Sequence, residues 1–369
     1  MKNRITLILV FITVSHIGIF PQNDYNEKGR ANFEVLPIVN YDSDVGFGYG
    51  AKAFLFDLIE QKESFDLILY NSTKGERWYR FVFSIEDFES RQGTEYPLAL
   101  DVILDFDKFK NYKYYGINNF TNYNSSNDYE IYTREQFEFT AMLSRGFTKN
   151  IVVEAGISYK VFNSFNFESD GLLLNTPSDF NRRKIKYHSL RLNGRYDTRN
   201  SFINPSGGIV VLLESESALE SGISNISFAK VALNFQNYLS ILNPEIIWAS
   251  RILAQIILPS DIPFQIQLPI GGNRTVRGLP QDRYLSSSTI VINNEIRFPI
   301  WWRFGGVIGL DIGATGNKSD YEFYNDKLSG WLVSPAAGLR FYMDNFIVRL
   351  DIGMTKDYTG IYFNFGHMF

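Results

Sequence analysis

The sequence predicts an all-β protein, a 16-stranded antiparallel transmembrane β-barrel. Three observations lead there. Hydrophobic residues alternate with polar or small ones at a period of two from Phe33 to the last residue, and no segment sustains helical spacing. Aromatic residues make up 16% of the 369 positions and charged residues 21%, yet mean hydropathy stays near neutral. Strands with one greasy and one polar face average to such a value. Finally, no apolar run beyond the first twenty residues is long enough to cross a bilayer as a helix.

The chain starts with an export pattern. Lys2 and Arg4 precede an apolar stretch over residues 5–14, broken by Thr6 and Thr13, and polarity returns over 15–22. We expect a signal peptide at 1–22, cut between Gly18 and Asp24, a short periplasmic leader at 23–32 and the barrel at 33–369. A buried N-terminal strand or an uncleaved anchor is the alternative. Loss of Lys2 and Arg4 takes the formal charge from −4 to −6. With no cysteine, disulfide scaffolds, thiol nucleophiles and thiolate metal sites are excluded. The acidic balance argues against nucleic acid as a partner.

Sixteen alternating runs follow, separated by turn chemistry. They lie at residues 33–41, 47–57, 65–72, 77–88, 97–106, 131–146, 151–162 and 185–197. The second half continues at 209–219, 226–242, 246–259, 288–298, 302–314, 331–343, 346–356 and 360–369. Tight turns such as 243–244, 298–302 and 343–345 alternate with longer loops, above all 260–286, as in a chain that crosses a membrane repeatedly. A soluble propeller would show a blade repeat, and none is present. Each strand has two unlike faces. Ile290, Ile292, Ile296 and Phe298 oppose Val291, Asn293, Glu295 and Arg297, and Ile308, Leu310 and Ile312 oppose Gly309, Asp311 and Gly313. In the last strand Ile361, Phe363, Phe365, His367 and Phe369 share the apolar face, which we assign to lipid. Trp78, Tyr79, Trp248, Trp301, Trp302 and Tyr358 fall near strand ends, as girdle aromatics do and as ordinary sheet aromatics also can.

Four segments carry a family resemblance. The long loop reads LPIGGNRTVRGLPQDRYL, with Val276, Arg277 and Gly278 at its centre. Residues 196–208 read YDTRNSFINPSGG, with Asp197, Arg199, Pro205 and Gly207 in an Asp-x-Arg…Pro-x-Gly pattern. Residues 309–313 read GLDIG, and the chain closes on NFGHMF, with Gly366 and the terminal aromatic Phe369. Together they resemble the bacterial surface antigen superfamily of BamA/TamA-like outer-membrane barrels. Leu279 stands where that pattern has an aromatic after VRG, Gly309 stands where an aromatic precedes the x-Asp-x-Gly, and His367 departs from the terminal pattern. Only about ten residues separate the signal from the first strand, too few for a domain. The family's polypeptide-transport-associated (POTRA) domains are therefore expected to be absent.

A barrel of this size has a lumen that an inward loop can occupy. Arg277 there requires carboxylates, and Glu295 and Asp311 lie on the lumen parity of the next two strands. Spacing alone leaves a clamp and a solvated loop arginine equally open; the resemblance favours a clamp of Val276, Arg277, Gly278, Glu295, Asp311 and Gly313. Pro37 in the first strand, facing the glycines of the last, marks either a weak barrel seam or a tolerated irregularity.

Enzyme chemistry finds no constellation. His188 and Ser189 are neighbours on opposite faces, the GFGYG at 46–50 precedes no helix, and Asp42/Asp44 and Asp105/Asp107 are too sparse for calcium. The stretch DFDKFKNYKYYG, 105–116, reads as barrel rim and outer loop. No cofactor or metal is expected. The resemblance implies a monomeric outer-membrane barrel in contact with lipid. It further implies insertion or translocation of client outer-membrane proteins with a separate periplasmic partner. A passive pore or a structural or surface-interaction barrel is the alternative.

Overall fold

The computed structural model describes residues 32–117, 129–169, 171–175, 183–242, 245–316, 331–343 and 346–369. The signal segment, nearly all of the leader and the turn at 243–244 lie outside the described residues. The strands are β1 (Asn32–Asp42), β2 (Gly46–Phe56), β3 (Ser64–Ser72), β4 (Glu76–Ile85), β5 (Tyr96–Tyr114), β6 (Glu130–Thr148), β7 (Ile151–Phe165), β8 (Lys184–Asp197) and β9 (Gly208–Ala218). They continue as β10 (Phe228–Ser240), β11 (Ile247–Leu258), β12 (Leu268–Ile270), β13 (Tyr284–Ser286), β14 (Ser288–Trp301), β15 (Phe304–Gly316), β16 (Leu332–Tyr342), β17 (Ile347–Met354) and β18 (Thr359–Phe365). All except β12 and β13 join one closed antiparallel barrel of 16 strands, in which β1 meets β18. Each run that alternates in the sequence is a barrel strand. The pair β12–β13 is a small ribbon inside the long loop, three residues a side and too short to carry a period.

The alternation sorts side chains as lipid and lumen require. Ile157, Leu190, Leu192, Ile308 and Leu350 point outward and are exposed, whereas Asn293, Glu295, Asp311 and Asp351 point inward and are buried. Charges on the inner wall pair across strands. Arg191 bonds Glu138 at 2.7 Å, Arg134 bonds Asp107 at 2.9 Å and Lys160 lies 3.2 Å from Glu138. A polar wall of this kind is compatible with water in the lumen and costly against lipid.

Four expectations change. The connections do not alternate uniformly in length. At the rim that carries the long loop, residues 43–45 and 73–75 make tight turns, while 57–63 and 86–95 at the opposite rim are longer. Strand β5 runs on through Asp105–Tyr114 instead of becoming loop. Phe109, Tyr112 and Tyr114 on that extension pack against Tyr132, Phe264 and Leu285, so the hairpin stays ordered above the wall. Trp78 is no girdle residue, since its indole N–H donates to Asp105 on the inner wall at 3.1 Å. Tyr358 also turns inward and donates its hydroxyl to Asp44 at 3.0 Å. Trp301 and Trp302 remain exposed at the rim opposite the long loop, as interfacial aromatics do.

Leu310 sits mid-strand on the outer face of β15. Leu310→Arg is expected to destabilise the barrel by about 2–4 kcal/mol in denaturant unfolding from lipid vesicles. An unchanged midpoint would contradict a lipid-facing position.

Candidate functional site

The long loop, 259–287, folds back into the barrel because its apolar residues have partners there. Ile262 and Leu268 pack with Ile185, Tyr187, Phe228 and Ile257 of the wall. Ile270, Val276 and Leu279 cluster with Val291, and Phe264 and Leu285 pack beneath the β5–β6 extension. Each such side chain contributes about 1.5–3 kcal/mol of burial. Gly271 and Gly272, at φ 132° and 82°, turn the chain after β12. Thr275 closes that turn, accepting from the Gly271 N–H at 2.8 Å and donating to the Gly271 carbonyl at 2.9 Å.

This turn delivers Arg277 to the inner wall. Its Nε and Nη2 donate to the two oxygens of Asp311 at 2.8 and 3.0 Å, a bidentate fork, and its backbone N–H reaches the same carboxylate at 3.1 Å. Nη1 donates to Glu295 at 2.8 Å and to Asp351 at 3.3 Å. All four side chains have 0% exposure. Burial opposes the charge of Arg277, but attraction from Asp311, Glu295 and Asp351 holds its pKa well above the ordinary arginine value. The carboxylates are shared further. Arg297 bonds Glu295 at 2.9 Å, Arg340 bonds Asp351 at 2.5 Å, and Asn293 donates to Asp311 at 2.8 Å. Arg251 completes the group by donating to Asn293 at 3.0 Å and to the Arg274 carbonyl at 2.5 Å.

Thus the structure brings Val276, Arg277, Gly278, Glu295, Asp311 and Gly313 together. Asp351, Arg297, Arg340, Asn293 and Arg251 were not identified from sequence. For Asp351 a signal exists: the Leu-Asp-Ile-Gly of residues 310–313 recurs at 350–353. Glycines make room for the loop. A Cβ on Gly309 would stand 2.6 Å from Arg277 Nη2, and one on Gly313 would stand 3.0 Å from Val276. Glycine at position 309 leaves the Arg277 guanidinium room against the wall. Leu279, in place of the usual aromatic, is buried. A ring reaches the loop from β18 instead, where Tyr362 donates to the Arg277 carbonyl at 2.7 Å.

The second motif lies at the opposite rim and does not join the clamp. Arg199 grips Asp197 through Nε and Nη2 at 3.0 and 2.7 Å, and Pro205 is buried in the same turn. The Gly207 N–H donates to Asn200 at 3.2 Å.

The β1–β18 seam is short. Where β1 pairs with β2 over its whole length, its register with β18 holds only Tyr41↔Phe363 and Asp42↔Tyr362. Ser43 adds its N–H to the Ile361 carbonyl at 3.1 Å, and its hydroxyl accepts the Ile361 N–H at 2.7 Å. Carried on in register, the ladder would set Pro37, which has no N–H, opposite His367. Instead β18 ends at Phe365 and Gly366, at φ 76°, turns the chain inward. The assignment of His367 and Phe369 to the lipid face is thereby corrected, because a left-handed residue breaks the period of two. The Phe369 ring packs on Val210, Tyr238 and Ala249, with the Arg251 and Arg297 guanidinium carbons each 5.3 Å from its centre. His367 Nε2 lies 3.0 Å from Asn204 Oδ1 in the second motif's turn.

Arg277→Ala leaves buried carboxylates short of a partner and is expected to loosen the loop by about 3–5 kcal/mol. Hydrogen exchange over residues 270–285 measures this, and unchanged protection would refute the clamp. Gly309→Phe is expected to act in the same direction by displacing the guanidinium; exchange equal to the parent would show that the aromatic is tolerated.

The Omp85 superfamily domain matches residues 64–369. No curated protein matches the chain in sequence. Among solved structures, BamA from Haemophilus ducreyi lacking POTRA domains 1–3 aligns with a TM-score of 0.66 at 14% identity, over 91% of this chain and 70% of that one. CdiB from Escherichia coli aligns at 0.62 and 14% identity, over 92% of this chain and 67% of that one. CdiB from Acinetobacter baumannii aligns at 0.56 and 13% identity, over 92% and 66%. At these identities the likeness is one of fold, and it is the Omp85-type domain that implies the outer membrane. A domain match over most of the chain, on a closed 16-stranded barrel, identifies this protein as a member of the Omp85 superfamily.

Proposed function

We propose that this barrel inserts or translocates client outer-membrane proteins at its β1–β18 seam, working with a separate periplasmic partner. The observation that carries the reading is the two-rung ladder between those strands. Over residues 32–40 the edge of β1 that faces β18 has no ladder partner, and residues 33–37 are exposed. An unpaired strand edge offers N–H and C=O groups to an incoming strand, which is how β-augmentation binds extended chain. Opening the barrel here breaks few hydrogen bonds, each worth about 0.5–1.5 kcal/mol net. Every other strand pair of the barrel is joined by seven or more register pairs, so opening there breaks more bonds. Superfamily membership supports the reading, since its members are insertion and translocation barrels.

The alternative is a passive or structural barrel. Packing of the loop's apolar residues into the lumen counts against a permanently open pore. Depletion of the protein is expected to lower the levels of other outer-membrane proteins. Unchanged levels, together with steady ion conductance in planar bilayers, would contradict the proposal and favour the pore. A pull-down from detergent-solubilised membranes identifies the partner.

A further inference from the structure

Beyond its base at Arg277, the long loop makes a second set of contacts, with the two strands that close the barrel. On the β1 side, Asn273 Nδ2 donates to Asp42 Oδ2 at 2.5 Å, and the Gln281 N–H donates to Asp44 Oδ2 at 2.8 Å. On the β18 side, Tyr362 donates to the Arg277 carbonyl at 2.7 Å, and Thr355, in the β17–β18 turn, donates to the Gly278 carbonyl at 2.7 Å. Tyr358 crosses the seam itself to reach Asp44. Residues 273–281 therefore bridge β1 to β18 from within, at the same height as the two ladder rungs.

We propose that this arc of the loop is a clasp that holds the seam shut, seated on the carboxylates of Asp42 and Asp44. It names the regulation of the seam and depends on the functional reading above only for its consequence, because closure can be measured without a client. Asp42 and Asp44 are 8% and 6% exposed and stand side by side, with Lys113 3.7 Å from Asp44. Buried carboxylates need donors, and two like charges together need them more. The loop supplies Asn273 and the Gln281 N–H. When the arc leaves, both carboxylates lose donors while the β1–β18 ladder keeps only its two rungs and Ser43. The seam is then free to part at the rim where it is otherwise zipped. Below that point no register pair joins β1 to β18 among the described residues, and the chain turns at Gly366, so no further rung replaces the lost bonds.

The test uses the full chain in lipid vesicles, with hydrogen exchange read at the Ser43 and Ile361 amides, which bond across the seam. Asn273→Ala and Asp44→Ala are each expected to lower protection there about fivefold per hydrogen bond removed, with the β2–β3 ladder unchanged. Gel migration of unheated samples reports whether each variant is folded, and Asn273→Ala, which removes a neutral donor, keeps the test available if Asp44→Ala does not assemble. Unchanged protection at Ser43 and Ile361 would overturn the clasp, and so would an equal loss across the whole barrel. Because no client is present, failure of the insertion reading leaves this result unaffected.

Discussion

The arrangement depends on one buried guanidinium. Arg277 sits at 0% exposure among three carboxylates contributed by β14, β15 and β17. Such a cluster does not compare well with an apolar core in raw stability, because each ion pays a desolvation penalty. What it provides is direction. The bidentate fork with Asp311 admits one orientation of the guanidinium, and the backbone N–H on the same carboxylate fixes the loop as well as the side chain. Apolar packing at Ile270, Val276 and Leu279 holds the loop against the wall, and the arginine sets its register there.

From that register the remaining contacts follow. With Arg277 placed, its carbonyl meets Tyr362 and the Gly278 carbonyl meets Thr355. The chain then returns over the β1–β2 turn, so that Gln281 reaches Asp44. A single segment thus touches the interior of the wall, the last strand and the first. The ladder it spans holds two register pairs; beyond them Pro37 offers no N–H to a continued ladder and Gly366, at φ 76°, turns the chain end away. A short ladder bridged by an inner loop sets this strand pair apart from the other strand pairs of the barrel.

Much of the fold was legible in the sequence because lipid and lumen impose opposite chemistry on alternate residues, which a period of two records directly. Glu295 and Asp311 were legible for the same reason. Asp351 obeys the same parity, and its Leu-Asp-Ile-Gly context repeats that of Asp311, yet it lies far along the chain from the loop it serves. Arg297 and Arg340 were harder, since long side chains reach across strands and their partners are not set by register. Periodicity also misleads where it is broken by one dihedral, as at Gly366, or where an aromatic finds a polar partner inside, as Trp78 does with Asp105. The mixed basic and aromatic run at 105–116 looked like loop because its burial comes from another segment, the long loop, that its own sequence does not mention.

The ion cluster is expected to control the seam through the loop, although the Arg277 guanidinium itself bonds to β14, β15 and β17. Pulsed electron resonance between spin labels introduced by Val39→Cys and Phe365→Cys, on the outer face across the gap, tests it in a chain that has no cysteine of its own. Replacing Arg277 by Lys removes the fork while keeping the charge. The distance distribution between β1 and β18 is expected to broaden and lengthen in that variant. A distribution identical to the parent's would show that the cluster and the seam are independent.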